Sequence, residues 1–285
     1  MIIKNLFILS VCLLLGSIVG TLLSIVVVNS LSPFDGNIGT LQKMGDLSPD
    51  TLKILLTINH LSTFTTGALL FYILNSRKRI SSYFGFSTNF NVLLLLTFTM
   101  LLWLTYPVSA WLVDALQDWP LIQKLEVGVN NRMILESILT MNNPQELVAN
   151  LIIIAAIPAL GEELVFRGII QRMMILNISS PHIAILISSI VFSAFHLEIL
   201  GFLPKLLIGL ILGCAYYWTK NIWYPICLHF INNSSQVLVL YWNGIPNNEN
   251  REYNAVSALP AVVCFATLLI VVILLDKYFT NGKRV

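Results

Sequence analysis

Charged residues are scarce in this chain. Only 11% of its 285 residues are Asp, Glu, Lys or Arg and 56% are hydrophobic, whereas a soluble domain usually carries about a quarter charged residues. A water-soluble fold could not hide so much apolar surface, so the composition predicts a membrane protein. The net charge is only +2 and there is no long basic block, which argues against nucleic acid as a partner.

Cysteines and familiar hydrolase motifs are scarce as well. The four cysteines stand singly in apolar runs without a CxxC pair, so neither a disulfide framework nor a zinc ribbon is predicted. The sequence has no GxSxG motif, which argues against a serine nucleophile of the common hydrolase type. It also has no HExxH pair, the signature of many zinc peptidases.

Long apolar stretches divide the chain into about eight predicted membrane spans. Each is close to the roughly 20 residues needed to cross a hydrocarbon core. The predicted fold class is therefore all-α, a polytopic membrane protein in which residues 1–285 form a single membrane domain. The predicted spans are 6–29, 52–74, 91–113, 147–171, 181–198, 203–219, 223–242 and 256–275.

Basic residues predict the orientation in the membrane. Positive charge is enriched on the cytoplasmic side, and the clusters that decide the orientation are Arg77-Lys78-Arg79 and Lys283-Arg284. With eight spans, both termini are then expected in the cytoplasm, as in a bacterial inner membrane protein. The first span is too long for a signal-peptide core and has no clear cleavage site, so it is expected to remain as an anchor.

Two adjacent carboxylates, Glu162 and Glu163, interrupt the fourth predicted span. A charge at the bilayer centre costs about 2.5–3.5 kcal/mol on insertion scales, so such residues usually have a function. Glu163 and Arg167 are four residues apart and are predicted to pair on one helix face. Glu162 points about 100° away and is predicted to face a cavity. Pro158 frees the carbonyl of Ile154 and predicts a kink. The alternative is an inert, charge-neutralised cluster that orients helices.

A capping signature precedes these carboxylates. Asn143 is predicted as the N-cap of the fourth span, Pro144 as its first helical residue and Glu146 as its third. This arrangement resembles a capping box.

Two further polar pairs lie on other predicted helices. Phe192 and His196 are four residues apart in the fifth span, and His229 and Asn233 are four residues apart in the seventh. Two side-chain donors on one face can be fixed around a developing oxyanion. Alone, each pair is also compatible with a structural role.

Together, the three motifs resemble those of the CPBP family, which contains the type II CAAX prenyl endopeptidases and bacteriocin-processing proteins and is also called Abi. The motifs E-E-x-x-x-R, F-x-x-x-H and H-x-x-x-N occur in this order on separate predicted helices, and the resemblance covers residues 145–240, a CPBP-like catalytic core. It implies an intramembrane endopeptidase surrounded by lipid that cleaves membrane-associated proteins or peptides. The implied roles are water activation by Glu162 and His196, oxyanion stabilisation by His229 and Asn233, and support by Glu163, Arg167 and Phe192.

Metal use is left open by these residues. The family has traditionally been placed among metallopeptidases, and Glu162, His196 and His229 could supply a zinc site. A metal-independent glutamate mechanism is the alternative, and it is favoured because Asn233 is a poor zinc ligand but a good oxyanion donor. Two other histidines match none of the motifs and are interpreted as structural, His60 and His182.

Two other classes of function also place ionisable residues in a membrane bundle. One is a non-catalytic scaffold, an immunity or a regulatory protein. The other is a proton-coupled transporter, which often shows inverted repeats that this sequence lacks. The sequence does not indicate the substrate, the cleavage position or the oligomeric state.

Overall fold

The computed structural model describes residues 2–31, 47–122, 136–244 and 258–281. Over these residues the chain is helical and has no strand, which confirms the all-α prediction. The helices used below are α1 (Ile2–Leu31), α2 (Pro49–Asn75), α3 (Ile80–Phe84), α4 (Val92–Gln117), α5 (Pro144–Asn177), α6 (Pro181–Ala194), α7 (Ile199–Thr219), α8 (Trp223–Asn243) and α9 (Ala258–Asn281).

Six of the described helices are long and apolar enough to cross a membrane: α1, α2, α4, α5, α7 and α9. This confirms a polytopic membrane protein. Helix α6 occupies the fifth predicted span but has only 14 residues. Helix α8 occupies the seventh and has 21 residues, but it carries several polar side chains and is not among the six. The number of eight spans therefore stays a prediction.

The N-terminus of α5 is capped as the sequence predicts. The Asn143 side chain accepts a hydrogen bond from the backbone N–H of Glu146 at 2.9 Å, and Pro144 is the first helical residue. The Glu146 carboxylate reaches back to the backbone N–H of Asn142 at 2.6 Å. The capping box is confirmed, with its return bond one residue earlier than in the standard motif.

Three segments within α2 and α5 are π-helical: Leu61–Thr66, Leu151–Ala156 and Leu164–Gln171. Such segments are rare and frequently occur at functional sites. The second π-helical segment ends just before Pro158 and contains Ile154. Proline has no N–H, so it cannot donate the helical hydrogen bond to the Ile154 carbonyl oxygen. A π-helical segment thus directly precedes the turn that contains Pro158, and the kink predicted there stays a prediction.

The chain divides into two compact units. The first contains the chain up to Tyr83, α5 as far as Val165, and α8 from His229. In this unit α1 packs closely on α2 through glycines. A Cβ atom at Gly16 would overlap the carbonyl oxygen of Ser62, so the helices can approach to this distance only because Gly16 has no side chain.

The second unit contains α4, the remainder of α5, α6, α7, the start of α8, and α9. Its apolar core joins side chains of α4, α7, α8 and α9. The fully buried members of this core include Phe98, Leu102, Leu212, Ala215 and Leu228. The prediction of a single membrane domain remains a prediction.

Candidate active site

Four ionisable side chains form a carboxylate–histidine cluster inside the first unit. Its members are His60 from α2, Glu162 and Glu163 from α5, and His229 from α8. Glu163 is completely buried, and Glu162 and His229 are 8% and 4% exposed. Burying an unpaired charge costs free energy, so contacts among these side chains stabilise them.

The four side chains contact one another in the order His60, Glu162, His229 and Glu163. His60 Nε2 lies 3.1 Å from Glu162 Oε1, and Glu162 Oε2 lies 4.0 Å from His229 Nε2. His229 Nδ1 lies 2.8 Å from Glu163 Oε1. Since adjacent helical residues point about 100° apart, the two carboxylates approach the same imidazole from different sides.

The contact with Glu163 orients the His229 ring. An ionised carboxylate can only accept, so the Nδ1–H of His229 donates to Glu163 Oε1 and Nε2 is directed toward Glu162. The sequence assigned Arg167 as the partner of Glu163, and the structure adds His229 to its environment. A histidine held in this way presents a defined nitrogen to its surroundings.

Asn233 contacts the backbone that Pro158 leaves unsatisfied. Its Nδ2 donates to the carbonyl oxygen of Ile154 at 3.2 Å, and its Oδ1 accepts from Asn232 Nδ2 at 2.9 Å. An amide nitrogen carries two hydrogens, so this contact uses only one of them. The location of Asn233 on α8 therefore links the irregular part of α5 to the helix that bears His229.

Arg167 and Phe192 lie in the second unit. Arg167 is 1% exposed, its Nη2 donates to the Gly209 carbonyl at 3.1 Å, and its guanidinium carbon lies 4.5 Å from the centroid of the Phe192 ring. One turn later, Gln171 Nε2 donates to the Gly213 carbonyl at 2.8 Å. A Cβ atom at Gly213 would lie 2.9 Å from Gln171 Oε1, so the missing side chain there lets Gln171 reach the backbone of α7.

His196 lies beyond the end of α6, in a turn. The sequence placed it on a helical face of the fifth span, and this location is wrong, because α6 ends at Ala194 and Leu197 has a left-handed φ of 54°. His196 Nδ1 lies 3.0 Å from the Phe192 carbonyl oxygen, and its ring packs edge-on against the Phe192 ring at 5.0 Å. The predicted association of Phe192 with His196 is thus present with different backbone geometry.

The structure thus brings the predicted site residues into two groups, each within one unit. The first holds Glu162, Glu163, His229 and Asn233; the second holds Arg167, Phe192 and His196.

His60, interpreted from the sequence as structural, lies in contact with Glu162, a contact that the sequence did not indicate. A signal for a functional role of His60 existed, since an ionisable residue within a membrane span marks a functional site by default. The other histidine without a motif, His182, lies 3.3 Å from Asp276 in the second unit.

Zinc was left open by the sequence, with Glu162, His196 and His229 as the possible ligands. Among the described residues, no group of three or more His, Cys, Asp or Glu side chains is arranged to hold a metal ion. The described donors therefore do not form a metal site, and no chemical step is derived through one.

Replacing Arg167 by lysine is expected to destabilise the protein although the charge is kept. The ammonium cannot reproduce the planar contact with Phe192 together with the hydrogen bond to Gly209. Thermal unfolding in detergent should show a lower Tm for Arg167→Lys than for wild type. The substitution Arg172→Lys, a half-buried position on the same helix, provides the matched control. An equal Tm for Arg167→Lys and wild type would contradict this expectation.

Comparison with known proteins supports the resemblance seen in the motifs. Residues 144–235 match the family described as type II CAAX prenyl endopeptidase Rce1-like. The chain is also 31% identical over 88 residues to the uncharacterized protein YpbD of Bacillus subtilis (strain 168). That alignment covers 30% of this chain and 42% of YpbD. No solved structure matches the chain.

Proposed function

We propose, from the premise that residues 144–235 match a family of type II CAAX prenyl endopeptidases, that this chain is an intramembrane endopeptidase acting on membrane-associated proteins or peptides. The observation that carries the proposal is the carboxylate–histidine cluster. In it, one oxygen of a buried glutamate is held by His60 while the other faces a histidine that Glu163 orients. The matched segment contains all three motifs that define the resemblance.

Glu162 is the proposed base. Its carboxylate removes a proton from water while the water oxygen attacks the carbonyl carbon of the scissile peptide bond. When the tetrahedral intermediate collapses, the C–N bond breaks and the proton held by Glu162 passes to the leaving amine. The resemblance gives His196 a part in activating this water, and that role is carried forward as a part of the proposal.

His229 and Asn233 are the proposed donors to the oxyanion. In this role the His229 ring carries two protons, with Nδ1–H held by Glu163 and Nε2–H donated to the oxyanion. Asn233 has a second amide hydrogen besides the one donated to Ile154. Donors that are fixed before the reaction stabilise the developing charge without reorganisation.

The proposed substrates are peptides that reach the protein from the lipid phase, and prenylated CAAX peptides are the first class to test. The test uses purified protein in lipid vesicles, a prenylated CAAX reporter, its unprenylated counterpart and an unbiased peptide library. Products are identified by mass spectrometry in the presence and absence of hydroxylamine and of a chelator.

We expect cleavage that yields only the free carboxylate product, because direct attack by water leaves no acyl-enzyme for hydroxylamine to trap. We also expect cleavage to survive chelation, since the described residues present no three-ligand cluster. A hydroxamate product would overturn the water mechanism. Loss of cleavage on chelation, restored by zinc, would establish a metal enzyme. Absence of cleavage of every peptide by folded protein would favour a scaffold or regulatory role.

A further inference from the structure

His60 lies outside the segment that matches the endopeptidase family, yet it contacts the central carboxylate. It belongs to α2, whereas the match begins at residue 144. Its Nε2 is 3.1 Å from Glu162 Oε1, and the two side chains are only 13% and 11% exposed. At this burial a hydrogen bond to a charged acceptor is strong and is little weakened by water.

The geometry points to His60 as a positioning residue for Glu162: His60 holds one carboxylate oxygen and so fixes the orientation of the group that serves as the base. This inference rests on the proposed function. An ionised Glu162 can only accept, so His60 must donate from Nε2–H. His60 then holds Glu162 Oε1 and fixes the plane of the carboxylate, with Oε2 directed toward His229 Nε2 at 4.0 Å.

The surroundings of His60 are built to keep its ring in place. The ring stacks on Phe64 with centroids 4.6 Å apart and planes inclined by 23°. His60 immediately precedes the π-helical segment Leu61–Thr66, and this part of α2 packs against Gly161, the neighbour of Glu162. A Cβ atom at Gly161 would lie 2.9 Å from Thr65 Oγ1 and 3.3 Å from His60 Cε1. The missing side chain at Gly161 therefore allows α2 to bring its histidine to the carboxylate.

The test compares three variants of the full-length protein in lipid. His60→Leu removes the donor. His60→Gln keeps an N–H at an equivalent distance along the side chain. Asn59→Leu is the matched control, because Asn59 bonds Ser24 at 2.8 Å, so its loss disturbs the packing of α1 on α2 without touching Glu162.

We expect His60→Leu to lower kcat by about 100-fold, the order of loss that follows a small misplacement of a catalytic group, while KM stays unchanged. His60→Gln should recover most of this loss. Any step in the wild-type pH–rate profile that arises from the His60 imidazole should be absent from this variant. Wild-type kcat in both His60 variants would overturn the inference, as would an equal loss in Asn59→Leu.

A second measurement separates this inference from the proposed function. The Tm values of His60→Leu, Glu162→Leu and the double variant form a cycle that needs no activity, and each leucine removes one partner of the contact. Non-additive shifts support the contact between the two side chains even if no peptide is cleaved, in which case only the proposed function fails. Additive shifts overturn the inference whether or not the protein is a peptidase.

Discussion

Glu162→Gln is expected to lower kcat for peptide cleavage by about 10³-fold or more, since a positioned general base contributes roughly 10²–10⁴-fold. Glutamine has the shape of glutamate, and its side-chain oxygen can still accept from His60 Nε2. It cannot take a proton from water. The fold and the Tm should therefore change little while the chemical step is lost. Initial rates with the prenylated reporter and the best peptide of the library measure the effect.

Glu146→Gln is the matched control for this substitution. It makes the same chemical change on the same helix, at the capping box and outside the cluster, where glutamine is equally suited to the third position. We expect wild-type activity for Glu146→Gln. If Glu162→Gln kept the wild-type rate, Glu162 could not be the base. If both variants lost activity equally, the loss would reflect the fold and not the chemistry.

Gly16→Ala is expected to cause the largest loss of stability among single methyl additions in the first unit. The added Cβ would overlap the Ser62 carbonyl oxygen and would lie 3.0 Å from the Ser62 carbonyl carbon and 3.1 Å from Thr63 Cα. All three are backbone atoms of the π-helical segment of α2, so none can rotate away. Overpacking of this kind typically costs about 1–3 kcal/mol and occasionally more. Thermal unfolding in detergent should show a clearly lower Tm.

Gly20→Ala supplies a graded comparison on the same helix. There the added Cβ would lie 3.1 Å from Asn59 Oδ1, 3.1 Å from Ser62 Cβ and 3.2 Å from Asn59 Cα, so each neighbour needs to move by only a few tenths of an ångström. We expect a smaller loss of Tm than for Gly16→Ala. The reverse order, or no loss in either variant, would contradict the close packing of α1 on α2.

Features determined within one helical turn could be predicted from the sequence. The cap at Asn143 depends only on residues in the first turn of α5, so the sequence motif was sufficient to predict it. The freed carbonyl of Ile154 follows from Pro158 alone. Its partner, Asn233, lies 79 residues further along the chain and could not be read from either neighbourhood.

Helical spacing relates only residues within one or two turns of the same helix. The pairing that it predicts for Glu163 and Arg167 stays a prediction. The contact between His60 and Glu162 joins residues 102 positions apart, and no periodicity indicates it. His196 was misplaced for a related reason, because an apolar pattern does not reveal the left-handed residue at Leu197 that follows it.

Glycine spacing in the sequence marks two sites of close helix contact. The spacing Gly-x-x-x-Gly, which is typical of closely packed membrane helices, occurs at Gly16 and Gly20 and again at Gly209 and Gly213. In the first unit it marks where α1 meets α2, and in the second it marks the backbone that receives Arg167 and Gln171. Helix contacts were therefore more predictable than the chemistry they support.

In α2 the length of the helix and the directions of its side chains are set by different features, because the π-helical segment changes the directions. His60 and Thr65 are five residues apart and both approach Gly161. In a regular α-helix, positions five apart diverge by about 140°. A one-residue deletion within Leu61–Thr66 would leave α2 long enough to cross the bilayer, yet it would turn His60 away from Glu162. Crossing the membrane and supporting the carboxylate are thus separate demands on α2, and sequences that satisfy the first need not satisfy the second.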